Sequence, residues 1–187
     1  MVTGTDLEGV LIVTHDVHED DRGFLLELCA THRLAELGRL QGFVQDNLSH
    51  SRAGVLRGLH YQLGDGQAKL VHVVRGRIVD VVVDIRQGSP TFGRWTGHVL
   101  SAARRQSIFI PAGCAHGFYT VEEADMFYKL SDRYRPELER GIVWNDPSLE
   151  IAWQDPSPII SPRDARLPRL DGIPPDDLPR FVADDGI

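Results

Sequence analysis

Cysteine is nearly missing from this 187-residue chain: Cys29 and Cys114 are the two present, and neither belongs to a Cys-x-x-Cys pair. That excludes a disulfide framework and a zinc site of the usual spacing, and it suits a reducing cytoplasm. An excess of positive charge is missing as well, since 20 Lys and Arg face 27 Asp and Glu, for a net charge of -7. The chain therefore has no global field for nucleic acid, and an anionic ligand would need a local cluster of arginine and lysine. No apolar run approaches the roughly 20 residues that span a bilayer, and the opening MVTGTDLEGVLIV is acidic where a signal peptide would be basic. The expectation is a soluble cytoplasmic protein with neither a membrane nor a nucleic acid as partner. Helical periodicity is scarce too, and Thr31 to Leu40, with Leu34, Leu37 and Leu40 in step and Thr31 as N-cap, is the best candidate helix.

What the chain does have is 42% hydrophobic residues, enough for one sizeable core, and a length too short for two ordinary domains. One unit over residues 1–187 is expected, with its core at about 8–155. Short apolar or alternating segments recur between turn residues: Gly23 to Cys29, Phe43 to Leu48, Val55 to Tyr61, Lys69 to Arg75, Arg77 to Ile85, Gln106 to Ile110, Gly117 to Val121 and Asp125 to Leu130. This rhythm predicts an all-β protein, a double-stranded β-helix or jelly roll with short peripheral helices around a ligand pocket. In RIVDVVVDIR, Val79, Val81, Val83 and Ile85 share one parity and Asp80 and Asp84 the other, the pattern of a half-buried strand. The preceding Arg75-Gly76-Arg77 reads as a hairpin turn. From Pro156 onward, residues 156–187 are rich in proline and aspartate, and irregular structure with short helical turns is expected.

Two segments set a histidine beside glycines, GVLRGLHYQ (Gly54 to Gln62) and PAGCAHGF (Pro111 to Phe118). Together they resemble the two signature segments of the cupin superfamily, many members of which hold a metal through His-x-His, a downstream glutamate and a later histidine. Here the first segment reads His60-x-Gln62, and the charged residue further on is Lys69. An ammonium beside a divalent ion is repelled, so no metal is expected.

Further segments extend the likeness nearly end to end: DDRGFLLE, QDNLSHSRAGVLRGLHYQ, QAKLV, VDIRQGSPTFGRW, PAGCAHGF, YKLSDRY, ERGIVWNDPSLEIAW and SPRDARLP. In this order they resemble the dTDP-4-dehydrorhamnose 3,5-epimerase family over about residues 8–170. The resemblance implies a dTDP-4-keto-6-deoxy sugar as substrate and epimerisation beside the ketone without a cofactor. It also implies a homodimer with exchanged N-terminal strands, through Val10 to Val13. Such chemistry needs a base, a stabiliser of the enolate and a second acid on the opposite face. Neutral imidazole serves as base near physiological pH, which suits His60. A carboxylate behind it would orient the ring, and by the family's pattern that is Asp164. Lys69 suits the enolate oxygen and Tyr128 the returning acid, with His116 near the base or the ketone. The matching substrate-binding positions are Arg22, Arg57 and Arg163 for the diphosphate, with Glu27, Gln45, Asp46, Asn47, Lys69, His116 and Glu139 as further contacts.

Two points qualify the likeness. Strand alternation puts Arg57 and His60 on opposite faces unless Gly58 introduces a bulge. Arg133 occupies a position where family members often carry an aromatic that stacks on the base, a contact arginine can also make. The motifs leave open an epimerase acting at one carbon alone, a non-catalytic sugar- or nucleotide-binding cupin, and a metal-dependent cupin enzyme.

Overall fold

Two long strands organise the molecule in a computed structural model that describes residues 1–30 and 42–182. Strand β7 spans Lys69–Asp84 and β10 spans Cys114–Leu130. They run antiparallel from Cys114 opposite Asp84 to Leu130 opposite Lys69. Each bends midway and serves two layers. In one layer, Lys69 to His72 pair with β9 (Gln106–Ile110), which continues to β2 (Leu11–Thr14) and β1 (Val2–Gly4), while β5 (Gln45–Ser51) pairs with Ala124 to Leu130. In the other, Arg77 to Val83 pair with β8 (Trp95–Ser101), and the start of β10 pairs with β6 (Leu56–Gln62), which carries β11 (Glu139–Gly141). A separate hairpin is made by β3 (Val17–Asp20) and β4 (Gly23–Leu26). This is the expected all-β jelly roll, and the predicted helix at Thr31 to Leu40 falls outside the described residues. The irregular C-terminal segment contains the expected short turns, at Asp164–Arg166, Leu170–Gly172 and Pro175–Asp177. Among the described residues, no helix is long and apolar enough to cross a membrane.

The interior lies between the layers. Val71, Val73, Ile108 and Met126 from one layer meet Ile78, Val82, Leu100 and Phe118 from the other, all buried. Each such aliphatic side chain contributes roughly 1.5–3 kcal/mol by leaving water. A second cluster covers the outer face of the β8–β7–β10–β6 layer, where Val81, Val83, Ile85 and Ala115 pack beneath Ile142, Leu149 and Ile173 of the C-terminal segment.

That cover corrects the expectation of a half-buried strand. Asp80 and Asp84 do take the opposite parity to the valines, yet both are fully buried. Their side of β7 faces the interior, so each carboxylate needs a partner there. Asp84 accepts from Arg86 Nη2 at 2.8 Å, Ser89 Oγ at 2.5 Å and Thr91 Oγ1 at 2.6 Å.

The expected hairpin at Arg75-Gly76-Arg77 is instead the corner at which β7 passes from one layer to the other. The register against β10 slips between Thr120 and Met126 at the same place. Gly76 has φ 76°, and a Cβ there would collide with the backbone of Glu123. Glycine thus permits the close crossing of the two strands rather than a reversal of the chain.

Candidate active site

Between the open ends of the layers lies a cavity of about 920 Å³. Strand β5 alternates along its wall, with Gln45, Asn47 and Ser49 more buried than Asp46, Leu48 and His50. Strand β6 supplies Arg57 and His60, β7 supplies Lys69, and β10 supplies His116, Phe118 and Tyr128. The turn after Ile159 closes the side with Ser161, Arg163 and Asp164.

The pairing of β6 with β10 resolves the parity problem at Arg57. His60 sits opposite His116 but Arg57 sits opposite Phe118, so β6 spends one extra residue over that interval. Gly58 takes up the irregularity at φ 119°, and a Cβ there would lie 2.5 Å from Gly117 Cα and 2.8 Å from His116 O. The bulge turns Arg57 and His60 onto the same cavity. Arg57 is held by Nε donating to Ser51 Oγ at 3.0 Å and Nη2 donating to His50 O at 3.1 Å.

Each of the two imidazoles has its own carboxylate. His60 Nε2 meets Asp164 Oδ1 at 2.9 Å, and His116 Nε2 meets Asp80 Oδ2 at 2.7 Å. Asp164 opens a short turn whose amide bonds Ser161 Oγ at 3.0 Å, and it is 4% exposed. Burial alone would raise its pKa, but hydrogen bonds from His60 and the Gly58 amide hold it below the usual value. A carboxylate on Nε2 assigns the proton of neutral His60 to that nitrogen and leaves the Nδ1 lone pair free. The same tautomer follows for His116, whose pKa burial pushes down against the pull of Asp80.

Lys69 lies on the cavity floor with Nζ 3.5 Å from His60 O. Burial brings its pKa down to about 8, partly offset by Asp80, Glu139 and Cys114. Tyr128 sits opposite Asn47 on β5 and Val71 on β7, with its ring against the interior core and on the cavity wall. At the rim, Glu139 Oε2 accepts from Tyr134 OH at 2.6 Å and Arg163 Nη2 at 2.5 Å. Burial would raise the Glu139 pKa, but these two donors and the nearby His60 keep it low.

Of the residues singled out in the sequence, His60, Tyr128, Asp164, Lys69, Gln45, Asp46, Asn47, Arg57, His116, Glu139 and Arg163 all line this one cavity. Arg22 and Glu27 do not. Arg22 extends into solvent from the β3–β4 hairpin with its guanidinium on Asp20, and Glu27 is exposed just past β4. Arg133 is also off the wall, and the aromatic that lines the cavity is the next residue, Tyr134, whose amide donates to Gln45 Oε1 at 2.8 Å. Gln62, at the second histidine position of metal-binding cupins, points elsewhere, accepting from the Arg135 amide at 2.9 Å and donating to Asp132. Among the described residues, no three His, Cys, Asp or Glu side chains converge as a metal-ligand set. Asp80 was missed in the sequence, where it reads as the solvent side of a strand. Two acids four residues apart within a run of valines are the signal that could have marked it.

A family model described as dTDP-4-dehydrorhamnose 3,5-epimerase matches residues 4–172. The dTDP-4-dehydrorhamnose 3,5-epimerase of Pseudomonas aeruginosa is 49% identical over 159 residues, covering 83% of this chain and 87% of that protein. The structure of dTDP-6-deoxy-D-glucose-3,5-epimerase from Legionella pneumophila in complex with dTDP-4-keto-L-rhamnose matches with a TM-score of 0.95 at 44% identity, over 98% of this chain and 99% of that one. A dTDP-4-dehydrorhamnose 3-epimerase from Streptomyces niveus is 42% identical over 84% of this chain and 78% of its own length.

Proposed function

This chain belongs to the dTDP-4-dehydrorhamnose 3,5-epimerase family, and from that premise we propose that it inverts C3 and C5 of a dTDP-4-keto-6-deoxy sugar through an enolate. The observation that carries the proposal is the convergence on one cavity of the His60–Asp164 pair, Lys69 and Tyr128. His60 Nδ1 takes the proton α to the ketone, and the imidazolium formed is stabilised by Asp164. The negative charge that develops on the ketone oxygen falls to the Lys69 ammonium, which acts most strongly where water is excluded. Tyr128 then delivers a proton to the other face of the ring, exchange with solvent removes the proton held by His60 and restores the one lost by Tyr128, and a second such round inverts the other carbon.

Arg57 and Arg163 suit the diphosphate, because a planar guanidinium can grip two phosphate oxygens at once. Gln45, Asp46, Asn47 and Glu139 serve nucleoside and sugar hydroxyls, and His116 accepts a hydrogen bond near the ketone. We further propose that residues 1–187 act as one catalytic unit paired in a homodimer; Val10 to Val13, the segment expected to exchange, packs within its own chain, with Val10 in the core and Leu11–Thr14 along β9, and the element laid over the neighbouring subunit is the β3–β4 hairpin, so that Arg22 and Glu27 reach that subunit's cavity. Support comes from the exposure of Phe24 and Leu25 on that hairpin, at 58% and 72%. A cytoplasmic site of action fits the two free thiols.

A second reading, inversion at one carbon alone, is favoured by the likeness to the Streptomyces niveus 3-epimerase. The same groups would serve, and small shifts of the ring decide which proton comes within reach. Incubation with the 4-keto sugar nucleotide in deuterated water separates the two. Label at C3 and C5 is the expected result; label at one carbon establishes the second reading, and no label refutes both.

A further inference from the structure

Behind His116 of the cavity wall lies a buried carboxylate that the roles above do not use. Asp80 is completely buried on β7, its Oδ2 is engaged by His116, and among the described residues its Oδ1 has no hydrogen-bond partner. A buried carboxylate oxygen without a partner is costly and calls for a physical cause. His116 does not neutralise the carboxylate, because burial disfavours the imidazolium and the neutral ring offers Asp80 a single N–H. A neutral His116 with its proton on Nε2 also has no N–H left for an enolate, so the cation on this floor is Lys69.

We propose that Asp80, which never meets substrate, is the positioning residue of the floor: it fixes the His116 ring through Oδ2 and supplies the standing negative charge that keeps Lys69 an ammonium inside the cavity. The inference rests on the proposed role of Lys69 toward the enolate. Lys69 also feels Glu139 from β11, which favours its charge, while the Cys114 thiol of β10 and the imidazoles of His60 and His116 stand nearby from β6 and β10. Glu139 is committed to Tyr134 and Arg163. Burial holds the Cys114 thiol near pKa 12, so it is neutral at working pH. Asp80 is thus the anion whose charge is least spoken for, and it is the largest of the influences that favour the charged amine.

The test is Asp80→Asn, which keeps the shape and an acceptor for His116 but removes the charge. Two quantities are measured against pH: turnover of the 4-keto sugar nucleotide, and the rate at which the Lys69 amine is acylated by acetic anhydride, followed by mass spectrometry. Both midpoints should move acidward in the variant by about one unit, which lowers the ammonium fraction at pH 8 by about fivefold. A uniform fall in turnover at every pH with an unmoved acylation midpoint would overturn the inference. Acylation needs no turnover, so a moved midpoint in a protein that never epimerises sustains the Asp80–Lys69 coupling and refutes the proposed function instead. Should Asp80→Asn fail to fold, the double variant with Lys69→Met removes both charges and is expected to fold. A double variant as defective as the single one overturns the coupling.

Discussion

His60 and Tyr128 are expected to fail differently when replaced. His60→Ala removes the proposed base, so epimerisation and solvent exchange at carbon should both fall, by about 10²–10⁴-fold. Tyr128→Phe leaves the base in place, and the proton returns to the face it left. That variant should therefore incorporate deuterium from solvent while accumulating no epimer, a combination that proton NMR of the sugar ring detects directly. Loss of exchange in Tyr128→Phe equal to that in His60→Ala would show that the phenol does not act as the second acid. Asp164→Asn should lower turnover with little change in substrate affinity, because the carboxylate orients His60 through Nε2 from a buried position.

At the scale of the element, the bulge on β6 is what brings Arg57 and His60 onto one cavity. Gly58→Ala should cost about 1–3 kcal/mol of stability, since its φ is 119° and the new methyl would meet the backbone of β10. Gly4→Ala is the control, with open space around it, and denaturant midpoints compare the two. The sequence made Gly58 suspect through an arithmetic of parity, which needs only the positions of Arg57 and His60. It made β9 legible to the residue, because QSIFI is short, apolar and bounded by turns. The two long strands were each legible only as two shorter ones, because Arg75-Gly76-Arg77 and Val121 to Glu123 interrupt the apolar pattern where the strands change layer and come to the surface. Strand β8 escaped notice, since Gly97 and Thr96 break its alternation. Asp80 and Tyr134 were illegible for another reason: what makes them part of the site is a neighbour from a distant strand, and nothing local reports it.

For the whole molecule, acid should act through a buried trio on the outer face of the β9 layer. His15 Nε2 and His72 Nδ1 share Ser107 Oγ at 2.7 and 3.1 Å, and burial brings the His72 pKa down to about 4. A histidine lowered on folding contributes no penalty above its unfolded pKa of about 6.5 and destabilises progressively as pH falls toward its folded value. Urea midpoints should therefore drop between pH 6.5 and 4, by on the order of 3 kcal/mol from this group, and less steeply in His72→Gln. Pairing of subunits has its own test. If the β3–β4 hairpin serves the neighbouring cavity, inactive Arg22→Ala and His60→Ala proteins regain activity when unfolded and refolded together, because one mixed dimer cavity then has both residues intact. No gain on mixing would confine each cavity to its own chain. The strands common to both layers have one more effect. Lys69 and Asp80 ride on β7, and His116 and Tyr128 on β10, so the floor of the pocket has no hinge of its own. Amide hydrogens at these positions should rank among the slowest to exchange, released only when the entire molecule opens.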